Sequence, residues 1–303
     1  MSQHLGALAG RIAAAPISWG VCEVPGWGVM LPQERVLPEM RSLGLRATEL
    51  GAPGFLPDTG PELNNVLDEH GMSLIGGFVP LVLHDPARRP EALERARAAA
   101  ELFAAAGATR FVTAAVQDYD WPRPTPLDER RADHLAESIT QVGRLCADFG
   151  LVQVLHPHVD TLVETAADVE LVLHRSTVSW CLDTGHLQIG GVDPAQFARS
   201  WADRVGHVHL KDVDDAIARR VVGRELSLVT GVQAGLFTPL GDGDVAVDEV
   251  VIALEDSGYA GWYVLEQDTA LTVVPSDGAG PIDAVRQSLR YLSERVVGRT
   301  ART

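Results

Sequence analysis

The amino-acid sequence predicts an α/β fold, the (β/α)8 TIM barrel, from three observations. Short apolar runs of strand length alternate with longer amphipathic runs along the whole chain. Eight strands and eight helices follow in strict alternation, and such repetition with short connections implies a parallel sheet with right-handed crossovers. The length of 303 residues fits eight such units, since TIM barrels typically have about 250 residues. A doubly wound open sheet is the alternative, but no glycine-rich dinucleotide motif follows the first strand.

The predicted strands are rich in valine, isoleucine, leucine and alanine, and several of them lack polar alternation. This composition is typical of strands that are covered on both faces. In chain order the strands are Ile12–Ser18, Ala47–Leu50, Ser73–Val79, Arg110–Val116, Leu151–Leu155, Val178–Leu182, Gly206–Leu210 and Trp262–Leu265.

The segments between the strands have helical patterns. Pro90–Ala106 is the clearest, because its apolar residues recur at helical spacing. Asp193 followed by Pro194 is typical of a helix start, with a capping side chain and a proline in the first turn. Several helices are predicted to end at a glycine that precedes the next strand, namely Gly44, Gly71, Gly107, Gly150 and Gly258.

We interpret residues 1–303 as a single TIM-barrel domain with one long insertion. The insertion, at about 213–243, lies between the seventh strand and its helix. That is the face of the barrel on which active sites lie. We therefore expect the insertion to act as a lid or as a subunit contact.

Composition and charge disfavour several classes of function. With 41 acidic residues against 25 basic ones, the net charge is −16, which argues against a nucleic acid partner. No apolar stretch is long enough to span a bilayer, and the N-terminus lacks the continuous apolar run of a signal peptide. Cys22, Cys146 and Cys181 are odd in number and far apart, which is typical of reduced thiols. We expect a cytoplasmic protein with no membrane partner.

Polar side chains gather where the later strands end. Asp183 ends strand six and Glu266 ends strand eight. In a TIM barrel the catalytic groups lie at these carboxyl ends. A set of carboxylates and imidazoles without a thiolate favours Mn²⁺, Co²⁺, Mg²⁺ or Zn²⁺, so the sequence predicts a metal site. Five of the ten histidines fall at the ends of strands five to seven, namely His156, His158, His186, His207 and His209.

Each of these residues also has a structural interpretation. Asp183 could cap a turn, and Glu266 could lie in a solvated loop. One of His207 and His209 could be a core histidine, and His158 could bind metal, contact substrate or pack. The coincidence of polar residues at all four strand ends favours the metal site.

Lys211 is the only lysine among the 25 basic residues, and it follows strand seven. Because lysine and arginine are not interchangeable, we expect this lysine to have a role in the chemistry. Glu49 ends strand two and is expected to form a salt bridge inside the barrel. Aromatic residues of the loops that follow strands could wall a polar ligand, namely Trp19, Trp27, Tyr119 and Trp121.

Several motifs resemble those of a known superfamily. Leu182-Asp183-Thr-Gly-His186, His207-Val-His209-Leu-Lys211-Asp212 and Glu266 are similar to the xylose isomerase-like barrels, which include sugar isomerases and epimerases, dehydratases and endonuclease IV-type nucleases. Within that superfamily, Pro16-Ile-Ser-Trp-Gly20 followed by Val24-Pro-Gly-Trp-Gly28 resembles the opening of the inosose dehydratases of inositol catabolism. The His156-Pro-His158 strand end and the Glu266-Gln-Asp268 ending are also similar to that group.

The resemblance implies a divalent metal held by Asp183, His209 and Glu266. The fourth ligand in this superfamily is usually a glutamate that ends strand five, commonly before a proline. Here His156 occupies that place before Pro157, so the fourth ligand is either His156 or a water molecule. The metal implied is Mn²⁺ or Co²⁺, with Mg²⁺ or Zn²⁺ as alternatives.

The reaction implied is the dehydration of 2-keto-myo-inositol (scyllo-inosose) to a trihydroxycyclohexane-1,2-dione through an enediolate. His158, His186 and Lys211 are the predicted catalytic residues, as candidates for the base and the acid. Trp19, His186 and Lys211 are predicted to bind the substrate, a small polyol or keto-sugar. Barrels of this type commonly associate, which implies a homo-oligomer.

Three other functions are open at this point. A sugar or keto-sugar isomerase or epimerase would use the same metal and enediolate without the loss of water. A repair nuclease would need a basic surface for DNA, which the net charge of −16 disfavours. A non-catalytic barrel would not need polar ligands at its strand ends.

Overall fold

Nine parallel strands form one sheet that curls into a nearly closed barrel in the computed structural model, which describes Leu8 and residues 10–296. The predicted TIM barrel is confirmed, whereas both ends of the predicted domain 1–303 lie outside the described residues. The nine strands of this sheet are β1 (Ile12–Ala14), β2 (Ala47–Glu49), β3 (Ser73–Gly76), β4 (Phe78–Leu81), β5 (Arg110–Ala115), β6 (Val152–Leu155), β7 (Ser179–Asp183), β8 (Val205–Leu210) and β11 (Tyr263–Leu265). The two remaining strands, β9 (Asp212–Val213) and β10 (Phe237–Thr238), form a separate two-stranded ribbon. Their order in the sheet is β3-β2-β1-β11-β8-β7-β6-β5-β4.

The prediction of one strand over Ser73–Val79 is wrong. Gly77 divides this part of the chain into β3, which pairs with β2, and β4, which pairs with β5. A Cβ atom at Gly76 would lie 2.6 Å from the carbonyl oxygen of Arg110, and one at Gly77 would lie 2.7 Å from the ring of Phe103. The packing therefore requires two glycines here. The barrel has eight strand positions, and the third of them is divided into β3 and β4.

The first strand is also shorter than predicted. It ends at Ala14, and residues Pro16–Trp19 form a turn of 3-10 helix. Pro16 has no backbone N–H to donate to a neighbouring strand, so it suits the first turn of a helix better than a sheet interior.

Eight helices cover the outside of the barrel, and three shorter ones lie at its carboxyl face in the described part of the chain. The strict alternation of eight strands and eight helices is thus wrong at three places: between β3 and β4, after β7 and within the insertion. The helices are α1 (Gln33–Ser42), α2 (Gly60–His70), α3 (Arg89–Ala105), α4 (Glu129–Asp148), α5 (Ala166–Arg175), α6 (Thr184–Ile189), α7 (Pro194–Trp201), α8 (Asp215–Val222), α9 (Leu228–Gln233), α10 (Val247–Asp256) and α11 (Pro281–Tyr291). Short turns of 3-10 helix at Ala202–Arg204 and of π-helix at Leu292–Val296 complete the set. None of the described helices has the length and apolar character needed to cross a membrane.

The predicted insertion at 213–243 has secondary structure of its own. β9 and β10 pair antiparallel at its base, and α8 and α9 lie between them. The buried carboxylate of Asp212 accepts hydrogen bonds from the backbone N–H groups of Gly241, Gly243 and Val245 at 2.8 to 3.1 Å. Asp212 therefore ties the two ends of the insertion together.

Alternation along the strands separates two environments. Val208 and Leu210 of β8 belong to the large apolar core between the sheet and the helices. Because successive side chains of a strand point to opposite faces, His207 and His209 point into the barrel. The same alternation directs Glu49 of β2 and Asp183 of β7 inward, so these polar side chains share the inside of the barrel.

Candidate metal centre and active site

Four side chains from four strand ends converge at the carboxyl end of the barrel. They are His156, Asp183, His209 and Glu266, and one donor atom of each lies within 4.8 Å of the others. His156 Nε2 lies 3.2 Å from Asp183 Oδ2 and 3.1 Å from His209 Nδ1. His209 Nδ1 lies 2.7 Å from Glu266 Oε2. The structure thus brings together the four residues predicted as metal ligands.

The donor set fits a divalent transition metal. Two imidazole nitrogens and two carboxylate oxygens with no thiolate are typical ligands of Zn²⁺, Co²⁺ and Mn²⁺. The other carboxylate oxygen of Asp183, Oδ1, accepts a hydrogen bond of 2.7 Å from the backbone N–H of His186. This bond fixes the carboxylate so that Oδ2 faces the other three ligands. All four residues are buried, as expected of a centre whose ligands are held in place.

Glu49 supports the centre from inside the barrel. Its Oε1 lies 2.8 Å from His207 Nε2 and 3.0 Å from His209 Nε2. Because a carboxylate accepts hydrogen bonds, both imidazoles carry a proton on Nε2, and His209 presents Nδ1 to the other ligands. Burial raises the pKa of Glu49, but the two imidazoles outweigh it and hold that pKa below its usual range. The salt bridge expected for Glu49 is present, and His207 is the core histidine of the pair.

Lys211 lies in a cage of acceptors. Its Nζ is 2.8 Å from Asp268 Oδ1, 2.9 Å from Glu266 Oε2 and 3.0 Å from His186 Nε2. The contact with His186 is a hydrogen bond, and those with Asp268 and Glu266 are ion pairs. The side chain is 2% exposed, and the surrounding carboxylates keep the pKa of Lys211 well above its usual range in spite of the burial. Lys211 is a fixed positive charge beside the centre.

The segment Asp183-Thr184-Gly185-His186 explains how the sequence builds this cage. Thr184 Oγ1 donates a hydrogen bond to the carbonyl oxygen of Lys211 at 2.6 Å and accepts one from its N–H at 2.8 Å. A Cβ atom at Gly185 would lie 2.7 Å from the Cβ of Lys211, so only glycine leaves room for the lysine. His186 then contacts the ammonium group, and each residue of the motif has a structural task.

His158 and His186 lie side by side, with ring centroids 3.9 Å apart. The Nδ1 of His158 is 2.6 Å from the carbonyl oxygen of Val159. A carbonyl only accepts, so Nδ1 carries the proton and Nε2 of His158 has a free lone pair. Burial, with His156 and Lys211 nearby, lowers the pKa of His158 to about 3, which keeps the imidazole neutral. Burial also lowers the pKa of His186.

A cavity of about 240 Å³ opens onto the centre. Its walls include three aromatic side chains, Phe78, Trp27 and Trp121, and three residues of the insertion, Ser227, Leu228 and Val229. The polar lining consists of His156, His158, Lys211 and the carboxyl groups of Glu23, Glu49, Asp160, Glu266 and Asp268. The insertion thus forms part of the wall, and its role as a lid or as a subunit contact stays a prediction.

The structure does not bring Trp19 to this cavity. Its indole is fully buried and donates a hydrogen bond of 2.7 Å from Nε1 to Glu39 Oε2, outside the barrel. The prediction that Trp19 contacts substrate needs correction, because the turn at Pro16–Trp19 directs its side chain towards α1. Trp27 lines the cavity instead, and its Nε1 donates to the carbonyl oxygen of Thr269 at 2.8 Å. Tyr119 packs against Arg95 and does not line the cavity.

Three carboxyl groups of the cavity, those of Glu23, Asp160 and Asp268, were not selected as site residues by the sequence analysis. Asp268 lies two residues after Glu266, and that spacing alone could have identified it. Burial raises the pKa of Asp268 to about 7, although Lys211 lowers it. Glu23 lies in the loop between β1 and α1, and nothing in its local sequence indicates that the loop turns into the barrel mouth.

Comparisons with known proteins agree with this architecture. The family model described as xylose isomerase-like TIM barrel matches residues 37–295. The chain is 32% identical over 275 residues to an inosose dehydratase of Geobacillus kaustophilus (strain HTA426), which covers 86% of this chain and 89% of the relative. The family model begins after β1. It spans the ends of β6, β7, β8 and β11, which carry the four residues of the centre.

Solved structures of low sequence identity share the fold. An L-ribulose 3-epimerase has a TM-score of 0.70 at 15% identity, over 96% of this chain and 97% of its own. The IolI protein with a bound zinc atom has a TM-score of 0.68 at 13% identity, over 95% of this chain and 98% of its own. The chain therefore belongs to the xylose isomerase-like TIM barrel family, in the group of the inosose dehydratases.

Proposed function

We propose that this protein is a metal-dependent dehydratase that removes water from 2-keto-myo-inositol to give a trihydroxycyclohexane-1,2-dione. The observation that carries the proposal is that His158, whose Nε2 is unprotonated, lines the same cavity as His156 and Glu266, two of the four residues of the centre. Dehydration next to a ketone needs a cation that stabilises the negative charge on oxygen and a base that removes the α-proton. The relative that is named an inosose dehydratase supports the same reaction.

The charge of the cavity favours an uncharged substrate. Among the described residues that line it, Lys211 is the cationic side chain, and it already forms ion pairs with Glu266 and Asp268. Apart from the proposed metal, a phosphate or carboxylate group on the substrate would face acidic residues without a cation free to pair with it. A polyol ketone can instead donate its hydroxyl hydrogens to these carboxylates, and the aromatic walls fit the faces of a carbon ring.

We propose that His156, Asp183, His209 and Glu266 hold Mn²⁺ or Co²⁺. When bound, such a metal supplies Lewis acidity towards the ketone and the neighbouring hydroxyl. The two imidazole ligands favour Co²⁺ and Zn²⁺ over Mg²⁺, because imidazole suits these softer ions and Mg²⁺ prefers oxygen ligands. Metal analysis of the purified protein tests the identity of the ion.

The residues of the chain then have separate roles. His158 takes the α-proton on Nε2, since its Nδ1–H is held by the carbonyl of Val159. Lys211 is a fixed positive charge close to the enediolate that forms. His186 holds the ammonium of Lys211 and packs on His158, so that it keeps both groups in position. Trp27 and Trp121 enclose the ring of the substrate.

The test is mass-detected turnover of 2-keto-myo-inositol by protein reconstituted with Mn²⁺ or Co²⁺. We expect a product lighter by one water, and no product from the Glu266→Gln variant, which lacks a carboxylate of the centre. Unchanged substrate with stoichiometric metal would refute the assignment. A product of unchanged mass would instead establish the sugar isomerase or epimerase reaction, which uses the same base and enediolate. A homo-oligomer and a cytoplasmic location stay predictions, which sedimentation and cell fractionation would check.

A further inference from the structure

The loss of water requires a proton for the departing hydroxyl, because hydroxide is a poor leaving group. Three groups at the centre do not supply it. His158 acts as the base and has no proton on Nε2. The ammonium group of Lys211 forms ion pairs with Asp268 and Glu266 at 2.8 and 2.9 Å and contacts His186, so its positive charge balances these two buried carboxylates. His186 itself does not line the cavity.

The carboxyl groups of the cavity are the remaining candidates, and four of the five have charged or imidazole partners. Glu49 accepts from His207 and His209. Asp160 pairs with Arg224 at 2.8 Å. Glu266 and Asp268 both lie within 2.9 Å of Lys211. The fifth, Glu23, has no ion-pair partner and no side chain within hydrogen-bonding distance among the described residues.

The loop that carries Glu23 is firmly attached to the barrel. Beyond Glu23, the N–H of Val29 donates to the carbonyl oxygen of Leu271 at 2.7 Å. Gly28 has a φ of 149° and lies so close to Leu271 that a Cβ atom would be 2.4 Å from the same oxygen. The indole of Trp27 is held by Thr269, as described above. These contacts fix residues 27–29 of the loop, and Glu23, which precedes them, lines the cavity wall.

Glu23 combines two properties that a proton donor needs. Desolvation raises the pKa of Glu23 above its usual value, which favours the protonated carboxyl group. The side chain is also exposed to solvent while it lines the cavity, so water can restore its proton after each turnover.

We infer that Glu23 is the catalytic acid that protonates the departing hydroxyl, an inference that rests on the proposed dehydratase function. His158 removes the α-proton, the C–H electron pair forms the C=C bond of the enediolate, and the carbonyl π pair moves onto the ketone oxygen. The oxygen pair then re-forms the C=O bond, the C=C pair shifts to the adjacent C–C bond as the β C–O bond breaks, and the proton of Glu23 joins the departing oxygen to give water. The remaining enol tautomerises to the dione, and solvent carries the proton from His158 back to Glu23.

The test uses the Glu23→Gln variant of the metal-loaded protein in D2O. Water loss should fall by about 100- to 10,000-fold, as is typical when a general acid is removed. Exchange of the α-proton for deuterium should continue, because His158 is intact. With a substrate analogue that carries fluorine in place of the departing hydroxyl, fluoride should be released at nearly the wild-type rate, since fluoride leaves without a proton.

The controls separate this role from a structural one. Metal content and melting temperature of Glu23→Gln should match the wild type, and Glu69→Gln, at an exposed carboxylate of α2, should leave all rates unchanged. Full water loss by Glu23→Gln, or loss of exchange together with water loss, would overturn the assignment. If the wild-type protein neither exchanges the α-proton nor removes water, the proposed function itself is overturned. That result comes from the wild type alone, so it is distinguishable from a failure of the Glu23 assignment.

Discussion

Replacing Glu49 by glutamine should weaken metal binding without unfolding the protein. Glu49 contacts the ligand His209 and not the proposed metal itself, so its effect passes through the orientation and basicity of the imidazole. Partners of this kind typically contribute about 10- to 100-fold in metal affinity. Glutamine is close to glutamate in size and can still accept from Nε2, so the barrel interior should stay filled.

The magnitude follows from the hydrogen bond that changes. A hydrogen bond to a charged group contributes about 1.5–3 kcal/mol, and one between neutral groups about 0.5–1.5 kcal/mol. Loss of the charge therefore removes about 1–1.5 kcal/mol from the 3.0 Å bond between Glu49 and His209. Since about 1.4 kcal/mol corresponds to a tenfold change, we expect Co²⁺ to bind about tenfold more weakly.

The assay is competition for Co²⁺ against a chromophoric chelator, with the visible spectrum of bound Co²⁺ as a second readout of ligand geometry. Glu39→Gln is the matched control, because Glu39 is also buried and accepts hydrogen bonds, from Trp19 and Arg35, but lies outside the barrel. It should lower the melting temperature and leave Co²⁺ affinity unchanged. An affinity within twofold of wild type for Glu49→Gln, or an equal loss in Glu39→Gln, would refute the reasoning.

Three further outcomes are expected. Gly185→Ala should destabilise the protein by about 1–3 kcal/mol and reduce activity, because the new methyl group would meet Lys211 at 2.7 Å; an unchanged denaturant midpoint would contradict this. Metal at 100 times its Kd should raise the free energy of unfolding by about 2.7 kcal/mol, since it binds the folded centre and not the unfolded chain, and a melting temperature insensitive to chelator would count against the centre. Burial raises the pKa of the Cys146 thiol to about 12 from 9.0, so the folded state keeps a proton that the unfolded state loses. The free energy of unfolding should therefore fall as pH rises through about 9 to 12, and Cys146→Ala should show a smaller alkaline loss in thermal melts.

The repeat of strands and helices and the positions of the strand ends were predictable from the sequence. Alternation within a strand depends on local sequence alone, so it assigns His207 and His209 to the inside of the barrel. The meeting of His156, Asp183, His209 and Glu266 then follows from barrel closure, which places all carboxyl strand ends around one opening.

Features that depend on packing between distant segments were not predictable. The break at Gly77 exists because Phe103 approaches that position, and no property of the residues around 77 encodes this. Trp19 and Trp27 lie in equivalent Trp-Gly contexts, yet only Trp27 lines the cavity, because a hydrogen bond to Thr269 holds it there. Glu23 is an ordinary acidic loop residue until the loop is fixed against the segment around Leu271.

The division of the third strand position into β3 and β4 also affects how the protein behaves towards other molecules. The two outer strands of the sheet, β3 and β4, are neighbours in sequence, so the covalent chain itself crosses the seam of the barrel. Backbone N–H groups of Thr109 and Val112 donate to the carbonyl oxygens of Ile75 and Gly77 and occupy the edge that would otherwise be free. A free strand edge is a template for pairing with another chain and hence for aggregation. The glycine pair at positions 76 and 77 thus lets the sheet bend at its seam and leaves no open edge there to recruit a second molecule.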